Sequence, residues 1–140
     1  MSNPDELKDF NAKIIEDFRA SGGTVGGPFQ GGHLLLLTTT GAKSGRPRVN
    51  PLAYQQAEPK LLIIGSYRGA DVHPAWVHNL RANPRAHVEI GTDAYDVVAR
   101  ELPREERDRV WPAIVAAAPV FAEYQDKTPR MIPLFELRRR

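Results

Sequence analysis

The chain has 140 residues, a hydrophobic fraction of 41%, a formal net charge of +2 and no cysteine. This length suits one domain with a single core, and the lack of cysteine excludes disulfides, thiolate nucleophiles and cysteine-ligated metals. The small net charge gives no support to nucleic-acid binding, and we interpret the terminal Arg138-Arg139-Arg140 run as a solvated tail. A polar, acidic N-terminus and short apolar runs predict a cytoplasmic protein without a signal peptide or membrane span.

The first 23 residues predict an amphipathic helix that begins at Asn3-Pro4 and ends at Gly22-Gly23. Its apolar residues recur at helical spacing: Leu7, Phe10, Ile14 and Phe18. A Gly-rich loop is expected over 24–32. The many acids on the polar face argue against contact with an anionic membrane surface. We therefore expect the helix to dock on the rest of the domain or to act as a lid.

Short strands and helices follow in close succession. The pattern predicts strands at 33–40, 48–56, 60–66, 87–90 and 95–102, with a turn at 58–59 and a helix at 74–83. Pro103 begins a further helix, which Pro112 is expected to kink or restart. The last strand is expected at 131–137, where Pro133 indicates an edge position or a bulge. Consecutive strands with short turns favour an antiparallel sheet or small barrel with helices around it, not a parallel Rossmann sheet.

A basic turn joins the first two strands. It offers backbone N–H groups, hydroxyls and the cations Lys43, Arg46 and Arg48 within a few residues. Such a turn suits an anionic, phosphate-bearing ligand. The GxxxxGKS/T spacing of a P-loop is absent, so nucleoside triphosphate chemistry has no support. Taken alone, the segment is equally well interpreted as a solvated hairpin loop.

Two later segments suit a planar ligand. Gly65 and Ser66 end a buried strand, where a small residue lets a flat ring approach the backbone. Trp76 and Asn79 share one face of a helix, although such residues more often only contribute to a core. His73 and His78 are five apart and miss the i,i+4 metal spacing, so we expect no metal site.

A further candidate segment, 124–130, leads into the last strand. Tyr124 is a candidate proton donor, and Lys127 or Arg130 a candidate partner for an anion; the alternative is a solvated loop that orients the strand. The chain has no Ser-His-Asp order and no nucleophile elbow. The sequence therefore favours a site that holds a cofactor supplying its own chemistry.

Together these motifs resemble the deazaflavin-dependent nitroreductase family. The matching pieces cover about 33–137 in the family order: Thr38–Gly45, Asn50-Pro51-Leu52, Gly65-Ser66, Trp76–Leu80 with Asn83-Pro84, Tyr124-Gln125, Lys127-Thr128, Arg130 and Ile132-Pro133. The resemblance implies a mainly β, α+β fold: an FMN-binding-like split β-barrel with antiparallel strands. It further implies one domain over 1–140, with the N-terminal helix at 1–23 and a cofactor-binding barrel at 33–137.

The resemblance also implies a cofactor, coenzyme F-420, which is an 8-hydroxy-5-deazaflavin. Its anionic tail would be held by the matching turn residues: Thr40, Gly41, Lys43, Ser44, Arg46 and Arg48. Its ring would be lined by Pro51, Leu52, Gly65, Ser66, Trp76 and Asn79. Reduced deazaflavin would pass a hydride from C5 to a small-molecule acceptor (a quinone, enone or nitro compound), with Tyr124 and Ser66 as the catalytic residues.

The chain departs from the family pattern at three places. The run Tyr67-Arg68-Gly69 lacks a second glycine, Val77 stands where Tyr is common, and Phe121 stands where some nitroimidazole-reducing members carry Tyr. The two losses of Tyr remove hydroxyls from the expected substrate side, which favours quinone or enone reduction over nitro-drug activation. Two alternative functions stay open: an FMN-dependent enzyme on the same barrel, and a non-catalytic carrier of deazaflavin. For the oligomeric state, a monomer and a homodimer both stay open.

Overall fold

Six antiparallel strands close into a barrel, in the order β1-β2-β3-β6-β5-β4. The computed structural model describes residues 4–21, 34–57 and 60–140. The elements are α1 (Pro4–Ala20), β1 (Leu34–Thr40), β2 (Pro47–Ala57), β3 (Lys60–Ile64), a 3₁₀ turn (Tyr67–Gly69), α2 (Ala75–Ala82), β4 (Arg85–Ile90), β5 (Asp93–Glu101), α3 (Arg104–Ala117), α4 (Val120–Asp126) and β6 (Leu134–Arg139). The split β-barrel class predicted from the sequence is confirmed.

The strand β1 is buried on both faces, which explains its unbroken apolar run. Leu35 and Leu37 belong to the cluster inside the barrel, whereas Leu34 and Leu36 belong to a second cluster outside it. Successive side chains of a strand point to opposite faces, so a strand covered on both sides needs apolar residues at every position.

The helix α1 supplies the outer cover of β1. Ile14 and Phe18, four residues apart on one face of α1, lie against Leu34 and Leu36. The guanidinium of Arg19 donates two hydrogen bonds to the carboxylate of Glu89, at 3.1 and 2.9 Å, and so ties the end of the helix to β4. Docking of this helix on the barrel is thus observed. The predicted helix end at 22–23, loop at 24–32 and turn at 58–59 lie outside the described residues.

The helices α3 and α4 cover the opposite side of the barrel, over Leu62, Ile64 and Leu134. Pro112 was expected to kink or restart the helix, and the restart does not occur: α3 continues through Pro112 to Ala117. Tyr124 lies in the helix α4 (Val120–Asp126), which the sequence did not predict. The alternative of a loop holds only for the part of 124–130 that follows this helix. No helix in the described part of the chain is both long enough and apolar enough to cross a membrane.

The edge position predicted for Pro133 is also wrong. The strand β6 begins one residue later, at Leu134, and pairs with β3 on one side and β5 on the other. A proline has no N–H to donate, so it is tolerated at the entry to a central strand. Its carbonyl still accepts a hydrogen bond from the N–H of Gly65, at 2.9 Å.

Glu106 joins α3 to two strands of the barrel. Its carboxylate accepts hydrogen bonds from Arg100 Nη2 at 2.7 Å and from Lys60 Nζ at 2.8 Å. These two cations, Arg100 first, lower the pKa of Glu106 to about 2. The folded state therefore prefers the ionised carboxylate more strongly than the unfolded chain does.

We expect Glu106→Gln to lower the free energy of unfolding at neutral pH, because the amide loses the charge that both cations contact. The stabilisation by Glu106 is fully present above its ordinary pKa of 4.5 and is lost as the pH falls towards about 2. The difference from wild type, measured by urea unfolding, should therefore shrink through that range. Glu105→Gln, on the exposed neighbour, is the control. Equal stability of Glu106→Gln and wild type at neutral pH would contradict this account.

Candidate functional site

The basic turn between β1 and β2 is closed by its own backbone. The N–H of Gly41 donates to the carbonyl of Arg46 at 2.8 Å, and the N–H of Gly45 donates to the carbonyl of Gly41 at 2.9 Å. Thr40, the last residue of β1, pairs with Pro47 across the turn. The hydroxyl oxygen of Ser44 accepts the N–H of Arg46 at 3.2 Å, which leaves the hydroxyl hydrogen available to a ligand.

Among the described residues, the cations of this turn have no acidic partners. Lys43, Arg46 and Arg48 are exposed, and no ion pair joins any of them to a carboxylate in that part of the chain. Other basic residues, such as Arg19 of α1 and Arg100 of β5, are paired with glutamates. Several uncompensated positive charges beside free backbone and hydroxyl donors make this turn a binding surface for an anion.

Asn79 of α2 fixes the position of the turn. Its side-chain carbonyl accepts the N–H of Ala42 at 2.9 Å, and its side-chain NH₂ donates to the hydroxyl of Thr39 at 3.1 Å. Asn79 is 6% exposed and Thr39 2% exposed, so both hydrogen bonds are shielded from water. Sequence reasoning named Asn79 as a ring contact and missed Thr39. The structure gives both residues a supporting role beneath the turn.

The same helix closes one end of the barrel. Trp76, Val77 and Leu80 belong to the interior cluster, and the Trp76 ring meets Phe135 of β6 edge-on, with centroids 5.7 Å apart. Trp76 is only 3% exposed. It therefore acts first as a core residue that sets how deeply α2 sits in the barrel.

Leu52 and Pro51 lie on opposite faces of β2. Leu52 packs against the interior cluster and pairs with Leu35, whereas Pro51 pairs with Leu36, whose side chain lies under α1. Adjacent strand residues point to opposite sides, so the two cannot contact one ring from the same side of the sheet. Of the two predicted ring contacts on this strand, only Leu52 is on the inner face.

Gly65 allows α2 and β6 to approach each other closely. A Cβ at this position would lie 2.8 Å from the Pro133 side chain and 3.0 Å from that of Val77. A larger residue would push α2 away from the end of β3. Because Val77 contacts Gly65 and Asn79 holds the turn, α2 links the basic turn to the Gly65-Ser66 segment.

Ser66 begins a strained segment of backbone. Its carbonyl accepts the N–H of Gly69 at 2.9 Å, and the intervening Tyr67 has φ of +46°, a conformation that costs free energy for a residue with a Cβ. Tyr67 is 43% exposed, whereas Ser66 is 9% exposed. Strained backbone of this kind clusters at ligand-binding sites.

Arg130 holds this segment in place. Its guanidinium donates to the carbonyls of Ala70 (2.7 Å), Ser66 (2.8 Å) and Gly65 (3.1 Å). A fourth contact, of 3.0 Å, joins Nη1 to Nδ1 of His73. Of the two candidate partners for an anion, Lys127 and Arg130, Arg130 is therefore the less available, because four of its five N–H donors are used by three carbonyls and His73.

The hydrogen bond with Arg130 determines the tautomer of His73. Arginine has no acceptor, so Nδ1 of His73 must accept and the ring proton must lie on Nε2. Burial, followed by the positive charges of Arg130 and Arg81 and the nearby His78, lowers the pKa of His73 below its ordinary value of 6.5; Glu101 opposes this. His73 is therefore held neutral in the folded protein.

Tyr124 lies on α4, and its backbone lies against Gly69 at the end of the strained segment. A Cβ on Gly69 would come within 2.7 Å of the Tyr124 carbonyl, and Gly69 has φ of +82°, so only glycine fits there. The Tyr124 ring meets Phe121 edge-on and has Lys127 Nζ 5.8 Å from its centroid. Phe121 is buried in the cluster under α3 and α4.

Several of the predicted residues, but not Pro51, thus lie along one continuous series of contacts. It runs from the basic turn through Asn79 and α2 to Gly65 and Ser66, and then through Gly69 to Tyr124. A cavity of about 470 Å³ lies elsewhere, lined by residues such as Leu61, Tyr95 and Arg139, and none of the predicted site residues lines it. Within the described residues, no cluster of side chains suits a metal ion.

Comparison with known proteins identifies the family of this chain. Residues 12–138 match the model of the family described as F420H(2)-dependent quinone reductase. The chain belongs to this family. An F420H(2)-dependent quinone reductase of Mycobacterium tuberculosis is 35% identical over 127 residues, which cover 88% of this chain and 85% of that protein.

Two solved structures share both sequence and fold with this family member. The F420-H2 dependent reductase FDR-A is 44% identical, with a TM-score of 0.66 over 74% of this chain and 92% of that chain. A second structure, a domain-swapped dimer, is 36% identical, with a TM-score of 0.69 over 96% of this chain and 99% of that chain.

His73 should make the stability of the protein depend on pH. Because its folded pKa lies below 6.5, the unfolded chain binds a proton first as the pH falls, and stability drops below that value. We expect His73→Asn, which keeps an acceptor for Arg130 but does not titrate, to show a smaller loss of stability between about pH 7 and 5. Urea unfolding across this range measures the effect.

His78→Asn, which changes the exposed neighbouring histidine, is the control. Because His78 makes the smallest of the contributions that lower the pKa of His73, this variant should keep most of the wild-type pH dependence. If His73→Asn instead loses stability on acidification as steeply as wild type does, the neutral-acceptor role of His73 is wrong.

Proposed function

We propose that this protein is a coenzyme F-420-dependent reductase that reduces quinones. The proposal rests on one observation: the basic turn, whose cations form no ion pair among the described residues, is connected through Asn79 and α2 to Gly65 and Ser66. The chain with this arrangement is a member of the F420H(2)-dependent quinone reductase family. An anion-binding surface and a segment open to a flat ring are the two requirements of a cofactor with a charged tail and a deazaflavin ring.

The residues present fit that cofactor. Lys43, Arg46 and Arg48, with the Ser44 hydroxyl and the backbone of Gly41, would hold its anionic tail by charge-assisted hydrogen bonds. The backbone of Gly65 and Ser66 would face the ring. Leu52 and Trp76 would support it from the barrel interior. The barrel at 33–137 would thus be the cofactor-binding part of a single domain.

The bound cofactor, when reduced, supplies a hydride from C5 to an electron-poor acceptor. The protein's contribution is to orient the two reactants and keep water from the hydride. A quinone that gains a hydride must also gain a proton to become a hydroquinone. We assign proton delivery to Ser66, which begins the strained segment, or to Tyr124, whose backbone lies against Gly69 at the end of that segment.

The acceptor side favours a quinone. The family resemblance puts Val77 and Phe121 at positions where other members carry a tyrosine hydroxyl, and both side chains are buried here. Neither residue therefore offers a hydroxyl to an acceptor. The curated relative named above is also a quinone reductase by name.

The proposal predicts that Lys43→Ala/Arg46→Ala weakens binding of oxidised F-420 by at least about tenfold, because each charge-assisted hydrogen bond contributes about 1.5–3 kcal/mol. The free energy of unfolding should change by less than about 1 kcal/mol, because exposed charges contribute little to folding. Fluorescence titration measures the affinity, and urea unfolding measures the stability.

Lys13→Ala/Arg109→Ala is the matched control. It removes the same two residue types from exposed positions on α1 and α3. Unchanged F-420 affinity in Lys43→Ala/Arg46→Ala would refute the assignment of the turn. Weakened binding of FMN, with no F-420 binding by wild type, would indicate the flavin enzyme instead. Binding without turnover of any quinone would indicate a carrier.

A further inference from the structure

The strained segment that faces the proposed ring site is held by one side chain. Residues 65–70 contain a positive φ at Tyr67, so the local backbone does not favour this conformation by itself. Of the four contacts that Arg130 makes, three go to carbonyls in this segment. The planar guanidinium spans all three at once, which a single ammonium group cannot do.

Arg130 is itself held rigidly. Its carbonyl accepts the side-chain NH₂ of Gln125 at 2.7 Å. The side-chain carbonyl of Gln125 in turn accepts from Ile132 N–H at 3.1 Å and from Arg107 Nη2 at 2.8 Å. Arg107, 5% exposed, also donates to the Ile132 carbonyl at 3.0 Å. The backbone on both sides of Arg130 is thus fixed from α3 and α4.

The acceptors of Arg130 lie next to the residues that would face the ring. Two of them are the carbonyls of Gly65 and Ser66 themselves. Both carbonyls therefore point towards the guanidinium of Arg130. Holding both carbonyls fixes the two peptide units that flank Ser66. The direction of the Cα–Cβ bond of Ser66 is therefore fixed as well.

We propose that Arg130 is the positioning residue of the ring site: it fixes the Gly65-Ser66 backbone in the conformation that receives the deazaflavin, without contacting the cofactor tail. This inference rests on the proposed function. It assigns ring affinity to Arg130 and tail affinity to the basic turn. The two contributions are separable with 8-hydroxy-5-deazariboflavin, which has the ring but neither the phosphate nor the glutamates.

The test compares binding of this tail-free ring and of whole F-420 by fluorescence titration. For Arg130→Lys, which keeps the charge but not the planar fork, we expect affinity for both ligands to fall by about tenfold or more. For Lys43→Ala/Arg46→Ala, we expect affinity for F-420 alone to fall. Arg100→Lys, an arginine whose partners are Glu106 and Glu136 on the barrel wall, is the control and should bind both ligands as wild type does.

A second variant perturbs Arg130 indirectly. Gln125→Glu keeps an acceptor for Arg107 and Ile132 but loses the donor to the Arg130 carbonyl. Gln125→Glu should also weaken binding of the tail-free ring, by a smaller factor than Arg130→Lys does. It replaces Arg130→Lys as the test if that variant does not fold. Unchanged affinity for the tail-free ring in whichever of these variants folds would overturn the positioning role. A wild-type protein that binds neither ligand would instead refute the proposed function itself.

Discussion

Burial of one face of α2 in the end of the barrel determines where the whole candidate site lies. Trp76, Val77 and Leu80 enter the interior cluster, so the depth and rotation of the helix are set by close packing. Asn79, on the same helix, then fixes the basic turn, and Val77 lies against Gly65. The basic turn and the Gly65-Ser66 segment, which are separate in sequence, thus acquire a defined separation because both contact one rigid helix.

The partners of the basic side chains distinguish cations that stabilise the fold from cations that are available to a ligand. Arg19, Arg81 and Arg100 are paired with glutamates that tie helices or strands together. Arg107 and Arg130 use their donors on backbone carbonyls and on Gln125. Lys43, Arg46 and Arg48 contribute to no ion pair among the described residues. Their charge therefore adds little to the fold and is available to an anionic ligand.

The sequence predicted the succession of strands and the basic turn because each rests on local signals: apolar runs, glycines and prolines at turns. Those signals left an antiparallel sheet or a small barrel open, and the split barrel followed from the family resemblance. Sequence reasoning missed α4, whose seven residues are too few for a clear helical period. It also missed the partners of Arg130, because the acceptors of that side chain are 57 to 65 positions away in the chain. Asn79 was identified, but its two partners depend on how α2 meets β1, which no local pattern encodes.

The most direct test of the account is a fluorescence titration of the purified protein with oxidised F-420, run beside FMN under the same conditions. The account predicts saturable binding of F-420 and no comparable binding of FMN, because the turn and the glycine-lined segment together would select a deazaflavin with a long anionic tail. Saturable binding of FMN without binding of F-420 would contradict it.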